Sequence, residues 1–138
     1  MKSLRESVLV YTFLLLIMLV SKTAALCMST LAGKHVRLQN ELATVGTGKM
    51  KAFGQSMLPI LKSGVTLTFE KRDDYNVNDI VFCKVDGRFI DAHKITKKDP
   101  SKGWLISNNQ GWDNGWTRTI YGKVIEGELK GEVIYKSK

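Results

Sequence analysis

Val65-Thr66-Leu67-Thr68-Phe69-Glu70 alternates apolar and polar side chains without a break. A strict period of two marks a strand with one face in a core and the other towards solvent. Outward from it, similar stretches recur at residues 79–85 (DIVFCKV), 88–96 (RFIDAHKIT), 103–107, 119–126 and 132–136. Asp86-Gly87, Asp99-Pro100 and the run from Gly111 to Gly115 separate them with turn chemistry. The pattern predicts a mainly β fold, a small antiparallel β domain of about six or seven strands over residues 47–138.

The chain has 138 residues, 43% hydrophobic and 25% charged. That length supports one modest core and leaves no room for a dinucleotide-binding domain beside a separate substrate domain. With 12 Gly, 2 Pro and 2 Cys, the collagen-like, disulfide-framework and disordered classes are excluded. A formal charge of +8 suggests an anionic neighbour, either nucleic acid or a phospholipid surface. Cys27 and Cys83, with only His35 and His93 to help, lack metal-ligand spacing. No metal site is expected, and both thiols are read as free.

Towards the N-terminus, Val8 to Val20 reads VLVYTFLLLIMLV, preceded by Lys2 and Arg5 and followed by Ser21-Lys22. Thirteen helical residues rise roughly 20 Å, short of the hydrocarbon core of roughly 30 Å, and Thr23-Ala24-Ala25 resembles a signal-peptide cleavage region. If Lys22 snorkels, the apolar stretch extends through Met28 and becomes long enough to span. Met28, Leu31, His35, Leu38, Leu42 and Val45 then step by three and four, which predicts an amphipathic helix. The organisation expected is a hydrophobic anchor or signal segment over 1–25, read as an uncleaved anchor, an amphipathic helical stalk over 26–46, and the β domain over 47–138.

Chemistry concentrates in Gly54-Gln55-Ser56-Met57-Leu58-Pro59-Ile60-Leu61-Lys62-Ser63-Gly64, between two strands. A permissive Gly and a rigid Pro frame a Ser, so the turn can present a hydroxyl at a fixed angle beside a backbone N–H. A bare Ser needs a base, and His93 or Lys94 can serve. As strand neighbours they point to opposite faces, so only one can meet Ser56.

GQSMLPILKSG resembles the nucleophile motif of type I signal peptidases and the related LexA-like peptidases. The similarity continues in order through Asn78-Asp79-Ile80-Val81-Phe82, Ala92-His93-Lys94-Ile95, the stretch from Ile106-Ser107-Asn108-Asn109 to Asp113, and Tyr121-Gly122-Lys123-Val124-Ile125. These segments cover nearly all of residues 52–125. The base motif is closest to the endoplasmic-reticulum-type branch, in which His precedes a basic residue. Asn78 stands where the family has Gly, and Gly54 where some members carry a second oxyanion donor.

The resemblance implies a membrane-associated serine endopeptidase that cleaves signal peptides from preproteins through an acyl-enzyme, without a cofactor. Ser56 would be the nucleophile, with its own N–H in the oxyanion hole, His93 the general base and Lys94 the alternative base. Asp113 would orient the imidazole, with Asp91 as an alternative. Met57, Leu58 and Ile60 would line substrate pockets. Implied partners are preprotein signal peptides and membrane lipid rather than nucleic acid, with Lys94, Lys97, Lys98, Lys102, Trp104, Trp112 and Trp116 as candidates for headgroup contact. The catalytic domain is expected on the extracytoplasmic side of a single-pass anchor. A LexA-like self-cleaving peptidase, with Ala32-Gly33 as its scissile bond, and a non-enzymatic basic β-domain binding module are the alternatives.

Overall fold

A computed structural model describes residues 8, 10–16 and 33–138 of the chain. It divides into two compact units, Met1–Gly33 and Lys34–Lys138. In the first, residues 10–16 are helical (α1). The rest of the expected anchor, with Cys27, Met28 and Leu31, lies outside the described residues. Among the described residues no helix is long and apolar enough to cross a membrane.

The second unit opens within a helix assigned over residues 33–44 (α2), of which it holds 34–44. Its strands are β1 Thr47–Ala52, β2 Val65–Glu70, β3 Ile80–Val85, β4 Arg88–Asp99, β5 Gly103–Ser107, β6 Asp113–Thr117, β7 Thr119–Leu129 and β8 Glu132–Lys136. They form one sheet in the order β1-β2-β7-β3-β4-β5-β6, with β8 also on β7. Each pairing is antiparallel.

The alternation of β2 works as its sequence predicts: Val65, Leu67 and Phe69 are buried, while Thr66, Thr68 and Glu70 are half-buried. β3 is buried on both faces, which explains its nearly unbroken apolar sequence. Ile80 and Phe82 join one core with Leu38, Leu42, Met50, Leu67 and Phe69. Val81, Cys83 and Val85 join another with Tyr75, Ile95 and Ile106. A strand sends alternate side chains to opposite faces, so β3 divides the two cores. Burial pushes the Cys83 thiol up to about 12, leaving it a neutral, free apolar filler.

Leu38 and Leu42, expected on the apolar face of the stalk helix, pack in the first core. They are 0% and 1% exposed, so α2 is a wall of the β domain's core. Val45, expected on the same apolar stripe, is exposed. The helix has ended by then: the Val45 and Gly46 N–H groups both donate to the Glu41 carbonyl, closing the last turn.

Two of the sequence motifs are joined here. Lys123 Nζ lies 3.0 Å from Asp79 Oδ1, at 11% and 15% side-chain exposure. Asn78, in place of the family's Gly, has φ 76°, which Gly adopts freely and Asn better than most residues.

Candidate active site

The site is built on the connection between β1 and β2. Ala52 and Val65 are paired at its base, where the Gly64 N–H donates to the Ala52 carbonyl at 2.8 Å. Gly54 has φ +113°, a backbone conformation that side chains resist, and its N–H donates to Ser63 Oγ at 3.1 Å. The chain then coils: the Leu61 N–H donates to the Met57 carbonyl. Met57 and Leu61 are thereby buried in the core, with Ser56 half-buried just before them.

Ser56 Oγ lies 3.0 Å from His93 Nε2, on β4. This is hydrogen-bond distance, within which a hydroxyl proton can pass to an imidazole. On its other side His93 Nδ1 lies 2.6 Å from Asn114 Oδ1, on β6. Ser56, His93 and Asn114 therefore form a continuous chain of half-buried polar groups.

Lys94, the alternative base, takes a different partner. Its ammonium donates to Asn109 Oδ1 at 3.2 Å. Asn109 in turn donates from Nδ2 to the Leu58 carbonyl and from its backbone N–H to the Ser56 carbonyl, both at 2.8 Å. Gln110 Nε2 adds a bond to the Gln55 carbonyl. The β5–β6 connection thus grips the Ser56 turn along its backbone, and Lys94 braces that grip.

Asp113 does not orient the imidazole. Its carboxylate accepts from Ser107 Oγ at 2.5 Å, and Ser107 also bonds Thr96 Oγ1. The reason is a slip of register: Ser107 pairs with Asp113 but Ile106 with Gly115, so β6 carries an extra residue there. This bulge takes Asn114 out of the regular ladder, and it is Asn114 that reaches His93. Gly115, at φ +131°, accommodates the bend.

Asp91 does not orient the imidazole either. It faces α2, accepting from Lys34 Nζ at 3.4 Å and lying 2.5 Å from His35 Nε2. The His35 ring stacks on Phe89, with centroids 5.1 Å apart. Lys34 also donates to the Lys51 carbonyl on β1. The start of α2 therefore ties β1 to β4.

Between those strands runs an open cleft of about 230 Å³, lined by residues including Ala52, Phe53, Ser56, Met57, Phe89 and His93. Of the three expected pocket residues only Met57 lines it; Leu58 and Ile60 do not, and Leu61 does. The coiled turn decides this, because Met57 and Leu61 are four residues apart and share one side. Elsewhere, Lys98 pairs with Asp74 and lies over Trp104, and Lys102 lies over Trp116. Trp112 is exposed. Among the described residues, no three His, Cys, Asp or Glu side chains gather to hold a metal ion.

Asn109 and Asn114 had no assigned role in the sequence. Asn114-Gly115 inside a strand is a bulge signal that could have found the second.

No curated protein matches the chain. The Peptidase S24-like family matches residues 26–125, a span that includes Ser56, His93, Asn114 and the Asp79–Lys123 pair. The chain belongs to the Peptidase S24-like family.

Proposed function

We propose that this chain is a serine endopeptidase of the signal peptidase I type, with Ser56 as nucleophile and His93 as general base. The observation that carries the proposal is the 3.0 Å approach of Ser56 Oγ to His93 Nε2 beside an open cleft. As Oγ attacks a peptide carbonyl, its proton passes to Nε2; the imidazolium then protonates the departing amine, and water hydrolyses the acyl-enzyme. The Ser56 backbone N–H stabilises the oxyanion. An imidazole needs no large perturbation to act near neutral pH, and the Lys94 side chain bonds Asn109 and not Ser56.

The substrates are preproteins, whose signal peptides lie extended in the cleft between β1 and β4. Met57, Leu61 and Ala52 form its apolar wall. A single-pass membrane location, with this domain on the extracytoplasmic side and lipid headgroups as neighbours, is part of the same proposal. It draws on the composition of residues 8–20.

The test is cleavage of a preprotein peptide, read by intact mass, with Ser56→Ala and His93→Ala beside the native chain. Loss of at least about 1000-fold in both variants is expected; undiminished cleavage in Ser56→Ala removes the proposal. A second reading is self-cleavage at Ala32-Gly33, a bond that lies within the span matched by the family. Incubating the chain alone separates the two: a fragment beginning at Gly33, absent in Ser56→Ala, supports self-cleavage.

A further inference from the structure

We infer that Asn114 is the positioning residue of the His93 imidazole, holding the proton on Nδ1 so that the Nε2 lone pair faces the Ser56 hydroxyl. The inference rests on the reading of Ser56 and His93 given above and adds to it a third member that carries no charge.

A neutral imidazole has one N–H and one lone pair, and the partner of one nitrogen decides the state of the other. Asn114 presents an oxygen to Nδ1 at 2.6 Å, and an amide oxygen only accepts. Nδ1 must then be the donor, which leaves Nε2 as acceptor 3.0 Å from Ser56 Oγ. During attack the Ser56 proton moves to Nε2 as the bond from Oγ to the substrate carbon forms. The Nδ1 proton stays where it is, and none passes to Asn114.

The placement is built into the backbone. Asn114 is the extra residue of the β6 bulge, between the Ser107–Asp113 and Ile106–Gly115 pairs. Asp113 anchors one side of the bulge through Ser107. At Gly115 a Cβ would meet Val85 Cγ1 at 3.2 Å in addition to the strain of φ +131°. The bulge therefore selects glycine there and delivers the residue before it to His93.

The charged groups lining the cleft with His93 are Lys62 and Asp91, and Asp91 is engaged by Lys34 and His35. Among the described residues the hydrogen-bond partner of His93 Nδ1 is the Asn114 amide and not a carboxylate. An amide orients the ring without the charge that would stabilise an imidazolium, so restoring that charge must change the pH response.

The experiment combines nitrogen NMR of the full chain labelled in histidine with peptide-cleavage kinetics. In the native chain the neutral His93 ring is expected to carry its proton on Nδ1. In Asn114→Ala the tautomers should mix, with kcat falling about 100-fold and KM little changed. Asn114→Asp, nearly identical in shape, should keep hydrolysis while the acid limb of the rate profile moves up by about one pH unit or more. A native ring protonated on Nε2, an Asn114→Ala chain with native tautomer and kcat, or an unmoved acid limb in Asn114→Asp would overturn the inference. The tautomer is read without turnover, so its outcome is distinguishable from a failure of the peptidase reading, which Ser56→Ala tests.

Discussion

Lys94 Nζ donates to Asn109 Oδ1, and Asn109 holds the carbonyls of Ser56 and Leu58. The two basic side chains at the centre of β4 therefore have different partners: His93 meets the Ser56 hydroxyl, and Lys94 meets the Asn109 that holds its turn. Asn109→Ala removes the side-chain half of the grip while leaving Ser56 and His93 intact. Its kcat should fall about 10-fold, with KM little changed. Lys94→Met should lose no more than that. Steady-state cleavage kinetics check both; a loss in Lys94→Met as large as in Ser56→Ala would reassign the base.

Leu38 has no exposed surface and packs among the residues of the first core. Leu38→Ala should cost about 2–5 kcal/mol, read from the urea midpoint of the folded chain. A cost below about 0.5 kcal/mol would mean that α2 is detachable, as a stalk would be.

Asp79 and Lys123 form a nearly buried pair between the β3 entrance and β7. Lys123→Met leaves the Asp79 carboxylate without its cation and should destabilise by about 3 kcal/mol. The double variant Asp79→Asn, Lys123→Met should recover part of that loss. Equilibrium denaturation of these two variants, of Asp79→Asn alone and of the native chain gives the coupling directly.

Cys83 stays neutral in the folded chain up to about pH 12, against 9.0 for an ordinary thiol. Its folded-state value is raised, so its stabilising contribution is complete below pH 9.0 and is lost as pH rises towards about 12. Tyr75, Tyr121 and Tyr135 are displaced upward too, chiefly by burial, and act in the same direction. Stability should therefore fall above pH 9, with Cys83 contributing up to about 1.4 kcal/mol per pH unit. Cys83→Ala should show a shallower alkaline slope in a pH series of denaturation midpoints.

The β architecture was legible because β2, β3, β4 and β5 carry most of the buried apolar side chains, and burial is what periodicity records. β1 is implied only as the strand before Gly54 and has no apolar alternation to bound it: Thr47-Gly48-Lys49-Met50-Lys51-Ala52 buries only Met50, and its lysines suit an edge strand. β6 was read as a turn because Asp-Asn-Gly has turn composition, and that composition serves a bulge equally well. Asp113 was expected at the imidazole because the resemblance implies an acid there, whereas the bulge carries the next residue, Asn114, to His93. Ser56 and His93 were legible only through motif resemblance, since their approach depends on pairings between segments far apart in sequence.

The central claim is that the His93 imidazole takes the proton of the Ser56 hydroxyl. Single-turnover cleavage of a preprotein peptide across pH 5 to 10, in the native chain, His93→Ala and Lys94→Met, tests it most directly. The account predicts an acid limb in the native chain and in Lys94→Met that reports one imidazole, and a rate in His93→Ala lower by at least about 1000-fold at every pH. Near-native cleavage in His93→Ala, abolished instead in Lys94→Met, would contradict it.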